Sequence, residues 1–260
     1  MKLLKVNKKT GVASATLYYT LVVLVPIAIL ALTYYTESLI PPLALLLLSK
    51  WQVVAVRPRY WFVNLVANAV DIIVGVSHVL FVYLAIPNLV LQICLTLGYI
   101  VWLTIVKPRS SRLFVTAQGL TAIFVGVSAL SFVAAEITQP AYVLLMFVIG
   151  YTATRHILTT YDEKMSKQIS GFWGLVMAEM GWIFYWWLFA YPLISGARLE
   201  LAQGAIIATL LSFVSLKAYD SYYAHGKMRS SDVAAPLFFA LVVIIVILLF
   251  FNQISVNEPL

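Results

Sequence analysis

Asn64, Asn68, Asp71, Gly75 and His78 follow one another at spacings of four, three, four and three inside a long apolar run. At about 100° per residue these spacings predict a single polar stripe along one helix. Measured from Arg59 at ~1.5 Å per residue, the stripe climbs from about 7 Å at Asn64 to about 18 Å at Asp71 and about 28 Å at His78. That is nearly the whole ~30 Å hydrocarbon thickness of a bilayer. An ionised carboxylate at mid-depth costs at least ~2.5 kcal/mol on insertion scales, so Asp71 is expected to be paired, hydrated or protonated. A proton- or cation-exchanging group is the chemistry this implies, with the His78 imidazole near the far end as a pH-sensitive neighbour. The plainer reading makes Asn64 and Asn68 interhelical hydrogen-bond donors worth about 0.6 kcal/mol each.

Glu179 is the other acid well inside an apolar run, about 13 Å from Ser170 along a helix and so close to Asp71 in depth. Trp182 and Trp186 share its face at i+3 and i+7. A carboxylate under an aromatic wall suits an organic cation or a lipid-like substrate, while the same rings also suit an interfacial aromatic belt. Lys50, about 10 Å in from Arg57, is the nearest cation in depth and the expected partner of Asp71 or Glu179. Asp71, Glu179, Asn64, Asn68, His78, Lys50, Trp182 and Trp186 therefore form the expected substrate- or ion-binding set. No catalytic residue, metal site or cofactor is expected. The polar stretches 155–170 and 217–232 hold His156, Asp162, Glu163, Asp220 and His225 without HxxxH or DxxxD spacing, and P-loop, GxSxG, HExxH, zinc and EF-hand patterns are absent from the sequence.

The elements that position these residues follow from composition. The 260 residues are 63% hydrophobic and 10% charged, against roughly 45–50% and about 25% in a soluble domain. A water-soluble fold of this size is excluded. Nine apolar spans are expected, at 14–34, 38–56, 60–85, 88–106, 113–134, 140–155, 171–192, 200–217 and 233–251, in one all-α transmembrane domain spanning 1–260. With the N-terminus inside and the C-terminus outside, 16 of 17 basic residues fall in inside segments and only Arg198 lies outside, as the positive-inside rule requires. Residues 1–13 then form a basic cytoplasmic segment, and the run behind them reads as an uncleaved first span of a multi-pass cell-membrane protein. The net charge of +7 reports orientation and not a nucleic-acid site; the expected partner is the bilayer, with a small solute or cation as possible ligand. Cys94, the single cysteine, excludes an intrachain disulfide.

Span 2 is the weakest, because Pro41-Pro42 and Lys50 bracket only twelve plainly apolar residues, 38–49. The last span has no polar side chain between Pro236 and Asn252 and is expected to face lipid. An internal echo at an offset of 51 sets Ile72–Val82 against Ile123–Val133, each after a basic-Pro-Arg loop, and suggests a duplicated hairpin of spans 2–3 and 4–5. Opposite Asn68, Asp71 and His78 the second copy has Gly119, Ala122 and Ala129. Any chemistry is expected in the first copy.

The nine-span layout with the N-terminus inside is similar to that of the UbiA-type prenyltransferases. That resemblance implies acid-rich motifs at the cytoplasmic ends of spans 2–3 and 6–7, holding magnesium-bound diphosphate. Where the family carries an Asn-Asp-x-x-Asp-x-x-x-Asp run, this chain has Asn68-Ala69-Val70-Asp71 and no further acid before Ser77, and the second loop offers Tyr161-Asp162-Glu163. These are few carboxylates for ions that need several hard oxygen ligands. The leading expectation is a small-solute or cation/proton-coupled transporter with a buried acidic centre. A non-catalytic scaffold or assembly subunit is the first alternative, and an intramembrane lipid- or prenyl-transferring enzyme the second.

Overall fold

Backbone amides in a hydrocarbon layer find partners only within helices or closed barrels, and this chain takes the first solution. The computed structural model describes residues 12–53, 55–187, 189–192 and 198–250. Its elements are α1 (Val12–Thr36), α2 (Ile40–Ser49), α3 (Trp61–Leu84), α4 (Leu89–Val101), α5 (Arg112–Phe132), α6 (Gln139–Ile157), α7 (Ser166–Phe184), α8 (Gln203–His225) and α9 (Ser230–Phe250). A π-helical turn, Trp102–Val106, continues α4. Between α7 and α8 a small antiparallel hairpin pairs β1 (Ala190–Pro192) with β2 (Glu200–Ala202), Tyr191 opposite Leu201.

Among the described residues six helices are long and apolar enough to cross a membrane: α1, α3, α4 with its π turn, α5, α6 and α9. The chain is thus an all-α protein suited to a multi-pass membrane setting. Helices α7 and α8, with 19 and 23 residues, reach about 28 and 34 Å but are less apolar. The expected second span, 38–56, instead holds the ten-residue α2, about 15 Å long, followed by 3₁₀ turns at Trp51–Val53 and Pro58–Tyr60. Prolines in the first turn of α2 and Lys50 at its C-cap set this short length. The expected loop 217–232 is helical as far as His225, where Gly226 at φ 68° closes α8 in the left-handed conformation that favours glycine.

Two halves meet along α3 and α5. Val70 and Ala122 share one apolar cluster, and Leu80, Leu84 and Ala129 share another, so α3 and α5 run parallel, side by side. On one flank α1, α2 and α4 gather on α3; on the other α6 and α8 pack on α5. The closest pairing is α6 with α7. A Cβ on Gly150 would lie 2.5 Å from Met177 Cγ, one on Gly174 2.9 Å from Phe147 Cε2, and one on Gly181 2.7 Å from Met146 Cγ. Small residues allow this approach because lipid offers helices no hydrophobic drive to associate. Helix α9 packs on α8, with Ala240 and Ile247 its buried residues.

Candidate functional site

The polar stripe of α3 is the face on which α2 and α4 dock. At its lower end Asn64 donates from Nδ2 to the Val53 carbonyl at 2.6 Å, which ties the turn after α2 to α3. Asn68 donates to the Asn64 carbonyl at 2.8 Å. At the upper end the Gly75 position is closed by Leu46 and by the Tyr99 hydroxyl, each 3.0 Å from where a Cβ would stand. His78 is buried and stacks on Tyr99 with ring centroids 4.3 Å apart. Asn64, Gly75 and His78 therefore serve helix packing or end in buried contacts, while Asn68 bonds back within α3.

Asp71 sits between them and accepts from two cations through one oxygen. Lys50 Nζ, at the end of α2, is paired with Asp71 Oδ2. Lys107 Nζ, just past the π turn, reaches the same Oδ2 at 2.9 Å. The Lys50 and Asp71 side chains are each 14% exposed, and Lys107 is 36% exposed. Asp71 Oδ1 is buried without a hydrogen-bond partner among the described residues. Two ammonium groups against one carboxylate leave a formal +1. Both lysines sit just beyond helical C-termini, whose dipoles favour a cation by about 0.3–1 kcal/mol, which is small beside a full charge. A cavity of about 300 Å³ lies against the centre, lined by Lys50, Lys107, Ser49, Gln52, Trp51 and Tyr99 together with apolar residues of α1 and Leu103.

Lys107 is aimed by its surroundings. Its amide donates to the Trp102 carbonyl at 2.8 Å, closing the wide π turn that widens α4 at its last step. Gln118 of α5 then fastens the segment, donating from Nε2 to the carbonyls of Val106 at 2.7 Å and Arg109 at 3.0 Å. The Gln118 Oε1 lies 2.8 Å from His156 Nε2 of α6. The spacing of residues in the sequence does not assign Lys107, Gln118 or Tyr99 to the site. The lysine reads as one more loop charge among the inside basic residues, and the available signal is Gln118, the single amide side chain of α5.

Glu179 does not join Asp71. It is exposed on α7, opposite the face that buries Ser170, Gly174, Met177, Gly181 and Phe184. The small residues of that face pack against α6 and turn the acid outward. Trp182 and Trp186, expected to wall a cavity, are 61% and 71% exposed. With the Gln139 amide turned to present its oxygen, both indole N–H groups donate to it, at 2.9 and 3.1 Å, as in a belt at one end of the molecule.

Another polar cluster joins the basic ends of α5 and α8 to the connection 158–165. Arg112 donates to Asp220 at 2.5 Å and lies over the Tyr161 ring, 4.1 Å from its centroid. Tyr161 donates to the same carboxylate. Burial and that hydrogen bond push the Tyr161 phenol up to about 12. Glu163 accepts from the Met165 amide at 2.8 Å and from Tyr219 at 2.7 Å, which hold its carboxyl below the usual range. The acids singled out by the prenyltransferase-like layout are thus engaged separately, Asp71 by lysines and Glu163 by Tyr219, while Asp162 is exposed. Among the described residues no three His, Cys, Asp or Glu gather into a metal-binding group. No protein-family profile, curated protein or solved structure matches this chain.

Proposed function

We propose that this is a nine-pass protein of the cell membrane, its basic end in the cytoplasm, that carries a small anion together with a proton. The second pass is made by α2 with the two 3₁₀ turns that follow it. The observation that carries the reading is the pairing of Asp71 with both Lys50 and Lys107 beside a cavity those lysines line. A cation entering there would meet two ammonium groups; an anion would compete with Asp71 for them. Once displaced, the carboxylate stands without partners in an apolar setting, where a proton is its least costly companion. Anion and proton then move together, and the buried acidic centre anticipated on α3 becomes the coupling group rather than a cation site.

The test is uptake into proteoliposomes under an acid-outside pH gradient, with inorganic phosphate and short monocarboxylates as probes. Accumulation of at least one probe is expected. It should fall at least tenfold in Lys50→Gln and Lys107→Gln, and Asp71→Asn should keep anion exchange while losing gradient-driven accumulation. No uptake above empty liposomes, or uptake indifferent to both lysines, would overturn the reading. A scaffold role is the second reading, favoured by the use of Asn64 and Gly75 in packing. It expects no uptake in any variant.

A further inference from the structure

Helix α4 packs on α1 and α3, while α5 packs on α3, α6 and α8, and the two leave a cleft of about 430 Å³ between them with α3 as its floor. Tyr99 is part of both this cleft and the lysine cavity. The walls of the cleft are largely apolar, with Phe81, Tyr99, Trp102 and Phe124 as aromatic surfaces, and Glu200 at the start of β2 adds a carboxylate to the lining. Cys94 and Gly98 are exposed at its edge, and a Cβ on Gly98 would meet nothing within 4 Å. The cleft thus opens sideways, at the level of the apolar helices.

Three polar atoms contradict a simple gap between helices. His78 Nε2 from α3, Trp102 Nε1 from the π turn and Ser128 Oγ from α5 are buried without hydrogen-bond partners among the described residues, and all three residues line the cleft. Their relative exposures are 5%, 7% and 3%. Native proteins leave few such atoms, and each that persists calls for an occupant or a purpose. An indole N–H only donates, and a hydroxyl and an imidazole can donate too. The one kind of partner that can serve all three is an acceptor, reached from three different walls, on a molecule that is otherwise apolar and flat enough for aromatic surfaces. We propose that the cleft binds a lipophilic ring bearing carbonyl oxygens, of the quinone class, which enters from the bilayer past Gly98 with its tail left in the opening.

The test is saturable binding of radiolabelled decylubiquinone to the full chain in nanodiscs, with empty discs subtracted. One site per chain is expected. Gly98→Leu should abolish binding and leave the ligand-free melting temperature unchanged, since it fills open space. Ser128→Ala should weaken binding about tenfold yet raise the ligand-free melting temperature, because it removes a buried hydroxyl that has no partner. These opposite signs separate a ligand contact from a packing role, and they keep the test decisive should Gly98→Leu fold poorly. Absence of a saturable component would overturn the proposal. So would binding indifferent to both substitutions, or equal displacement by dioleoylglycerol, which offers ester carbonyls without a ring.

Discussion

Replacing Asp71 by asparagine keeps the shape of the side chain and strips two ammonium groups of their shared counter-charge. Removing one member of a fully buried pair costs about 3–5 kcal/mol. With Lys107 36% exposed and able to turn toward water, about 1–3 kcal/mol is expected. Asp71→Asn should therefore melt lower in detergent, and adding Lys50→Met should recover most of the loss; an unchanged melting temperature for the single variant would contradict paired, charged lysines. Read from sequence, the scaffold alternative makes Asp71→Asn neutral or stabilising. The second lysine reverses that sign, so only transport now separates the two functions. Asp71 and Lys50 were legible because depth can be counted along an apolar run. Lys107 was not, because its approach depends on a π turn and on carbonyls held by Gln118, which no spacing rule reveals. Glu179 was misplaced for a related reason: depth says how costly an acid is, but the small residues two to five positions away decide which way it points.

At the scale of elements, the π turn and its amide clamp form one unit. Gln118→Leu removes donors from the Val106 and Arg109 carbonyls and the partner of His156, a loss of about 2 kcal/mol on the scale of buried hydrogen bonds left unmade. Backbone amides over 107–110 should exchange faster in that variant, while those of α7 stay as they were. The connection 158–165 carries its own pH response. Glu163 has a folded-state pKa held below its ordinary value, so its contribution is present above that ordinary value and is lost as pH falls through the lowered one. Melting curves of the wild-type chain should lose stability on acidification below about pH 4.5 by more than those of Glu163→Gln, and parallel curves would refute the assignment. Helix α2 was half legible: the prolines and Lys50 announced a weak span, but the two 3₁₀ turns that complete its path have no periodicity to read.

Orientation and packing belong to the whole molecule. If the basic end lies in the cytoplasm, as proposed, a cysteine at Met165, introduced on a Cys94→Ser background, should resist impermeant maleimide in intact cells and react after permeabilisation; labelling from outside would invert the topology. Space is also filled unevenly from one glycine position to the next. The α6–α7 contact has no room for a methyl group at Gly150, Gly174 or Gly181, whereas nothing stands within 4 Å of a Cβ at Gly98 or Gly171. Chemically identical substitutions will therefore have opposite fates. Alanine at the three interlocked glycines forces neighbours apart at about 1–3 kcal/mol each. At Gly171, inside α7, alanine should be neutral or gain up to about 1 kcal/mol from a less flexible backbone. A substitution scan read out as surface abundance would then trace the α6–α7 seam as a line of intolerance and leave the α4 edge nearly blank. Changes in abundance would mark the seam as what keeps the protein folded, and the α4 edge at Gly98 as open space that packing does not use.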